Sequence, residues 1–293
     1  MTSSGFVALA GRPNVGKSTF VNAVLGRKLA IVSDRPQTTR RAIRAVHQRD
    51  GRQVVLVDLP GVQRPRDALT ARMARRVQQE LEGADASLLI LAADQGVGPG
   101  DRFIARLLTQ AAAPVAIAVN KTDRISSGEQ LAVLEQAAAL VPDAEIFPIS
   151  ARRGEGLESL LGHLAGLMPE GPLLFDADVD NDQPREQLLA ELIREAVIRR
   201  TFQELPHAVE VLVEETEQLR GDLLRIRALV WVETESQKGI VIGAGGRMIK
   251  AIGTAARREL QRALGCRVHL ELSVRVRRDW RADEELLDRL GIT

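Results

Sequence analysis

The run Gly11-Arg12-Pro13-Asn14-Val15-Gly16-Lys17-Ser18 sets two glycines, a lysine and a hydroxyl at the spacing of a loop that cradles a polyphosphate. In such a loop the backbone N–H groups face the anion, and the positive end of the following helix dipole adds to the attraction. Lys17 would reach the outer phosphates, and the Ser18 hydroxyl, next to Thr19, would ligate magnesium. Alone, the run indicates a nucleoside triphosphate and nothing about its base.

The base is specified by Asn120-Lys121-Thr122-Asp123. A carboxylate at the base edge accepts two hydrogen bonds from the ring N–H and exocyclic amine of guanine, a donor pair that adenine lacks. Asp123 would supply that carboxylate, and a backbone N–H of Ser150-Ala151 would meet the guanine carbonyl oxygen. A third piece, Asp58-Leu59-Pro60-Gly61, closes a further apolar run. Asp58 there would bind magnesium through water, and the Gly61 N–H would turn toward a γ-phosphate. Thr39 is the candidate for a second magnesium hydroxyl, with Thr38 its rival on spacing alone.

A different chemistry is suggested by Ile240-Val241-Ile242-Gly243-Ala244-Gly245-Gly246-Arg247-Met248-Ile249-Lys250, a G-x-x-G turn between two helical segments. In a KH module such a turn lets the backbone approach a nucleic-acid strand, with a helix N-terminus and basic side chains meeting phosphates. Residues 242–247 and Lys250 are the expected RNA contacts, Arg247 and Lys250 touching phosphate. Between Ser236 and Arg281 eleven Lys/Arg stand against three acids, an excess of eight positive charges in a chain whose net charge is +1. Arg257, Arg258 and Arg262 fit a solvated helix face as well as they fit phosphate contacts. Trp280, between Arg278 and Arg281, would stack on a base or pack inside its own domain.

These residues need scaffolds. Short, almost wholly apolar runs at 6–10, 54–58, 87–92, 115–120 and 145–149 predict strands covered on both faces, with helices at 17–25, 69–81, 100–109 and 131–141 between them. That is a doubly wound, mostly parallel α/β domain over 1–169. From 170 to 186 the periodicity lapses among prolines and Asp176, Asp178, Asp180 and Asp182, predicting a flexible acidic linker. An α+β domain over 187–293 follows in the order α, β, β, α, α, β, the order of a type II KH fold. A length of 293 residues suits two domains. One cysteine, Cys266, excludes an internal disulfide, and alternating apolar neighbours make it a small core residue. The sequence has no apolar run of about 18 residues and no basic leader, which predicts a cytoplasmic protein.

Together the phosphate-loop run with Thr19, Gln37-Thr38-Thr39-Arg40, Asn120-Lys121-Thr122-Asp123 and Val268-His269-Leu270-Glu271-Leu272 resemble the translation-factor-like GTPases, and within them the Era-like family, over nearly the whole chain. The resemblance implies a GTPase with a type II KH domain that binds the 3′ end of 16S ribosomal RNA and assists small-subunit assembly. It favours Thr39 over Thr38 and implies weak peripheral membrane association; with no obligate protein partner evident in the sequence, a monomer is expected. It also implies a potassium ion at Asn14, beside the phosphates. Two positions depart from the pattern. Leu59 stands where the family has threonine, and Val62 stands where many GTPases carry a water-positioning glutamine, so slow intrinsic hydrolysis is expected. Lys17, Asn14, Thr39 and Gly61 are the expected catalytic set. The rival from another class is an RNA-binding adaptor in which nucleotide has only a structural role.

Overall fold

The computed structural model describes residues 2–32, 38–61, 66–111, 113–176, 178–201 and 205–292. Val62 and Gln37 lie outside them. The chain divides into two compact units, one of 1–30, 39–65 and 70–182, the other of 31–38, 66–69 and 183–293.

The first unit runs through β1 (Ser3–Ala10), α1 (Lys17–Leu25), β2 (Ile43–Arg49), β3 (Arg52–Asp58), α2 (Ala68–Glu82), β4 (Ala86–Ala92), α3 (Pro99–Gln110), β5 (Val115–Asn120), α4 (Ser127–Ala138), β6 (Ile146–Pro148) and α5 (Leu157–Leu167). Its sheet has the order β2-β3-β1-β4-β5-β6, parallel except for β2, which pairs antiparallel with β3. Burial is complete along β4 and nearly so along β3, as it must be for strands covered on both faces. Helix α1 has the expected bounds. Helix α4 starts earlier than its apolar spacing suggests because Ser126 and Glu129 form a reciprocal capping box, the Ser126 N–H donating to Glu129 Oε2 at 2.8 Å.

Strand β2 was not expected. Its polar residues mask its alternation, but Asp50-Gly51 carries the legible signal. Both residues have positive φ (51° and 75°), and Arg49 opposes Arg52 across them in a two-residue hairpin.

The stretch 170–182 is not the flexible tether its composition suggested. Gly171 N–H donates to Thr2 O at 3.1 Å, and the buried Gln53 side chain accepts from Leu174 N–H (2.8 Å) and Phe175 N–H (3.0 Å). Val46 N–H donates to Asp180 O at 2.9 Å, while Asp180 pairs with Arg27 and Asp182 with Arg44. Two of the acids that looked like solvated linker charge, Asp180 and Asp182, are thus ion-paired along the sheet's β2 edge, which the segment covers.

The second unit contains α6 (Arg185–Ile198), α7 (Leu205–Ala208), β7 (Glu210–Gln218), β8 (Leu223–Val232), α8 (Glu235–Ile242), α9 (Arg247–Leu264), β9 (Arg267–Val276) and α10 (Glu284–Arg289). The short α7 and α10 add to the expected order, and α6 begins inside the stretch read as linker. Strand β8 lies between β7, antiparallel, and β9, parallel. The apolar faces of α6 and α9 close over this sheet through Leu192, Ile193, Ile252, Ala256 and Leu260, with Cys266 partly buried against the same core.

Candidate functional site

Apart from Thr39, which precedes β2, the nucleotide-directed segments leave the carboxyl ends of parallel strands, where open α/β sheets hold ligands. The loop 11–16 follows β1, Asp58 ends β3, Asn120 ends β5, and Ser150 follows β6. Two glycines are required by space. A Cβ on Gly11 would lie 2.5 Å from Ile90 O, and one on Gly16 (φ 103°) would run into the Asn120 side chain.

At the phosphate end Lys17 is buried, and its Nζ donates to Gly11 O at 3.0 Å and Arg12 O at 3.2 Å. Burial pushes this ammonium below the ordinary lysine range, and Asp58 opposes the shift. Ser18 Oγ donates to Asp58 Oδ2 at 2.7 Å and lies 3.2 Å from Thr39 Oγ1. Burial raises the Asp58 carboxyl, with Lys17 and then Ser18 working against it. Asp58 Oδ1 is buried with no hydrogen-bond partner among the described residues. Two hydroxyls and a carboxylate with an unused oxygen form a hard-oxygen set that fits magnesium. Thr39, not Thr38, brings its hydroxyl to this group; the Thr38 carbonyl accepts from the Arg194 guanidinium.

At the base end the buried Asn120 links both halves. Its Nδ2 donates to Val15 O at 2.9 Å, and its Oδ1 accepts from Ala151 N–H at 3.0 Å. A purine carbonyl reaching that N–H would share it in a three-centre bond. Thr122 is fixed to the end of β6 through Ile149 O, which accepts from Thr122 Oγ1 at 2.9 Å. Lys121 adopts φ 67° and pairs with Asp94 at 3.3 Å. The half-exposed Asp123 carboxylate accepts from Ser150 Oγ at 2.7 Å, and this bond holds it below the usual carboxylate range.

Three expected nucleotide contacts have side chains committed elsewhere. Arg12 pairs with the buried Asp101 at 2.8 Å and donates to Gly96 O at 3.2 Å, which anchors the loop to the start of α3. Val15 is fully buried, and Leu59, 1% exposed, packs with Ala10, Val57, Val77 and Leu81. Only their backbones are available to a ligand, and the apolar Leu59 suits the core that surrounds it. Pro60 is buried as well, while Gly61 abuts Pro13 so closely that a Cβ would lie 3.1 Å from Pro13 Cγ. Asn14 is exposed at φ 66°, a backbone state that asparagine tolerates.

Within the second unit, α6 carries a charged group that the apolar reading of this helix passed over. Glu191, Arg194 and Glu195 are all buried; Arg194 pairs with Glu191 at 2.5 Å, and Glu195 Oε1 accepts from Val32 N–H at 3.2 Å. These side chains hold the backbone at Val32 and at Thr38, the residue immediately before Thr39. The legible signal was three charges interrupting an otherwise apolar helix face.

In the G-x-x-G turn Gly243, Gly245 and Gly246 have φ of 72°, 59° and 75°. A Cβ on Gly243 would meet Met248 Cβ at 2.6 Å, whereas Gly245 and Gly246 face open space. Ala244, Arg247 and Lys250 are exposed beside them, and Ile242 is half-buried at the end of α8. Trp280 is not a stacking platform: it is fully buried, and its Nε1 donates to Ala208 O at 2.9 Å.

Residues 6–121 match the family model described as a 50S ribosome-binding GTPase, and residues 204–281 match the KH domain model. The GTPase Era of Mycobacterium sp. (strain KMS) is 44% identical over 294 positions, covering 98% of either chain. This chain belongs to the Era family of GTPases. The family member from Lactobacillus helveticus is 42% identical over 98% of this chain. Two solved Era structures superpose over the whole chain with TM-scores of 0.95. One is an Aquifex aeolicus Era variant bound to GDP and AlF4⁻, at 35% identity, and the other is Era in complex with MgGDPNP and nucleotides 1506–1542 of 16S ribosomal RNA, at 34%. The architecture expected for the family, a phosphate-loop GTPase domain followed by a KH domain, is therefore that of this chain.

Proposed function

We propose that this chain binds GTP and Mg²⁺ at the carboxyl edge of its six-stranded sheet, hydrolyses GTP slowly, and uses its KH half to hold the 3′ end of 16S ribosomal RNA during small-subunit assembly. One observation carries the nucleotide reading. Asn120 ties the phosphate loop at Val15 to the turn at Ala151, so the Lys17–Ser18–Asp58 group and the Asp123 carboxylate belong to one rigid edge.

In this reading Lys17 and the loop N–H groups hold the β- and γ-phosphates. Ser18 and Thr39 ligate magnesium directly and Asp58 through water, and Asp123 selects guanine. Bound there, the ion would neutralise charge developing on the phosphate oxygens. The Gly61 N–H would turn to the γ-phosphate, and Asn14 would help hold a potassium ion. Support for Mg²⁺ and for the RNA comes from the solved Era complexes, one with MgGDPNP and a 16S fragment, the other with GDP and AlF4⁻. We assign 1–169 to the GTPase domain, 170–186 to the connection and 187–293 to the RNA-binding domain.

Residence is proposed in the cytoplasm, with weak peripheral contact at the inner face of the cell membrane. Among the described residues no helix is long and apolar enough to cross a bilayer, so that contact would run through surface charge, and flotation with anionic vesicles tests it. Calorimetry with GTP, GDP and ATP tests the nucleotide reading, and equal affinity for ATP overturns it. Crosslinking to cellular RNA in the GTP-analogue and GDP forms tests the target and its dependence on nucleotide. Equal turnover in potassium and sodium buffers would remove the potassium ion.

A further inference from the structure

Strand β4 lies between β1, which ends in the phosphate loop, and β5, which ends in the guanine-directed turn. Its last residue, Ala92, is in register with Asn120, the last of β5. The connection from β4 to α3 therefore leaves the sheet between the two halves of the nucleotide site, although it holds none of the motif residues. Its two ends carry the carboxylates Asp94 and Asp101, and each reaches a different neighbour.

Asp101, in the first turn of α3, is fully buried, a place where a carboxylate is tolerated only if it is paired and hydrogen-bonded. Its Oδ2 accepts from Gly98 N–H at 2.8 Å, which closes the start of the helix, and its Oδ1 accepts from Arg12 Nε at 2.8 Å. The same guanidinium donates to Gly96 O at 3.2 Å. The Arg12 stem lies against Gly100, where a Cβ would come within 2.9 Å of Arg12 Cδ. An arginine held at both head and stem fixes the front half of the phosphate loop. The next residue, Pro13, is the one Gly61 abuts, whereas the back half is tied separately through Val15 O and Asn120.

Asp94 faces the other way. It lies in the single turn Ala93–Gln95 that follows β4, and its carboxylate meets Lys121 Nζ at 3.3 Å and the Arg124 guanidinium at 2.9 Å. Lys121 belongs to the guanine-directed motif, has a side chain only 16% exposed, and adopts a left-handed backbone state that residues with a Cβ disfavour. Asp94 is the counter-charge that keeps its ammonium against the turn.

We infer that Asp101 and Asp94 are positioning residues of the nucleotide site, acting on two different steps. Asp101, through Arg12, sets Pro13 against Gly61 and so governs hydrolysis at the γ-phosphate end. Asp94, through Lys121, holds the guanine turn and so governs how long the nucleotide stays bound. Each acts through a cation that belongs to a motif, and the β4–α3 connection joins the two. The inference rests on the reading of this edge as a GTP site.

The test uses the full chain with Asp101→Asn, Gly100→Ala and Asp94→Asn. For each, kcat and KM for GTP, the release rate of a fluorescent GDP and the melting temperature are measured. Asp101→Asn keeps the shape, but its amide can accept from only one of the two donors that the carboxylate serves. Gly100→Ala leaves Asp101 untouched and improves helix propensity, yet puts a methyl where the Arg12 stem lies. Both should lower kcat about tenfold with KM within about threefold, since a small misplacement at the reacting end costs rate rather than binding. Because they act through the same arginine, the double variant should lose no more than the worse single. Asp94→Asn should speed GDP release and raise KM, each about tenfold, with little change in kcat. A normal kcat in Gly100→Ala overturns the inference, because Asp101 is then a helix cap and no more. Losses that multiply in the double variant, or GDP release in Asp94→Asn within about threefold of wild type, overturn it too. Failure of the GTP reading itself looks different: the wild-type chain then neither retains GDP nor turns over GTP.

Discussion

Ser150 Oγ donates to Asp123 Oδ1 at 2.7 Å, joining the end of β6 to the turn after β5 across 27 positions of sequence. The carboxylate proposed to select guanine is oriented by a residue outside its own motif.

Ser150→Ala is expected to remove about 1 kcal/mol of orientation and so weaken GDP about fivefold, measured by calorimetry. The pH dependence has a definite sign. Asp123 is held low, so its charged form, and guanine binding with it, is present above the ordinary carboxylate range and lost only as pH falls below it. In Ser150→Ala the loss sets in at higher pH. Asp123→Asn exchanges an acceptor for a donor and should move preference from guanosine to xanthosine nucleotides, whose C2 substituent is a carbonyl.

Burial drives Lys17 and Asp58 in opposite directions, and each opposes the other's shift. Removing one partner strands the other as a buried charge, at a cost of about 3–5 kcal/mol. Lys17→Met leaves Asp58 raised further, so its stability is present at low pH and falls as pH rises through the raised carboxyl value. Asp58→Asn leaves Lys17 lowered further, so its stability increases with pH. Nucleotide-free melts from about pH 5 to about pH 9 should therefore slope in opposite directions. Parallel slopes would mean that the two groups are not an electrostatic pair.

Leu59→Thr introduces the threonine that the family resemblance implies at this position, into a site that here is apolar and closed. Loss of packing and burial of a hydroxyl should destabilise the GTPase domain by about 2 kcal/mol, with guanine affinity unchanged. Chemical denaturation and calorimetry on the same preparation separate the two effects.

Trp280→Ala should cost about 3–5 kcal/mol of stability in the second unit, since it empties a fully buried indole site and leaves Ala208 O without its donor. Trp280→Phe, which keeps most of the volume, should bind RNA as the wild-type chain does. A selective loss of RNA affinity in the phenylalanine variant would return Trp280 to the nucleic-acid surface.

The sequence by itself determined whatever depends on neighbours a few positions apart. Helices α1 and α9 and strand β9 have the bounds their periodicity and terminal glycines predict, because caps and 3.6- or 2-residue spacing act locally. The nucleotide motifs were legible for the same reason: a loop that must wrap an anion needs glycine at fixed offsets from lysine and serine. Spacing left Thr38 and Thr39 level and only the resemblance favoured Thr39, whereas the tertiary structure puts the Thr39 hydroxyl beside Ser18; it alone decided that Arg12 and Leu59 turn away from the site and that Trp280 is core. It likewise paired Asp180 and Asp182 with cations more than a hundred residues earlier, and buried Glu191 and Arg194 in a helix that reads as apolar. These outcomes depend on which distant side chain fills a given space or neutralises a given charge. Spacing along a chain does not encode that choice, because it is made by packing density and desolvation after the elements have met.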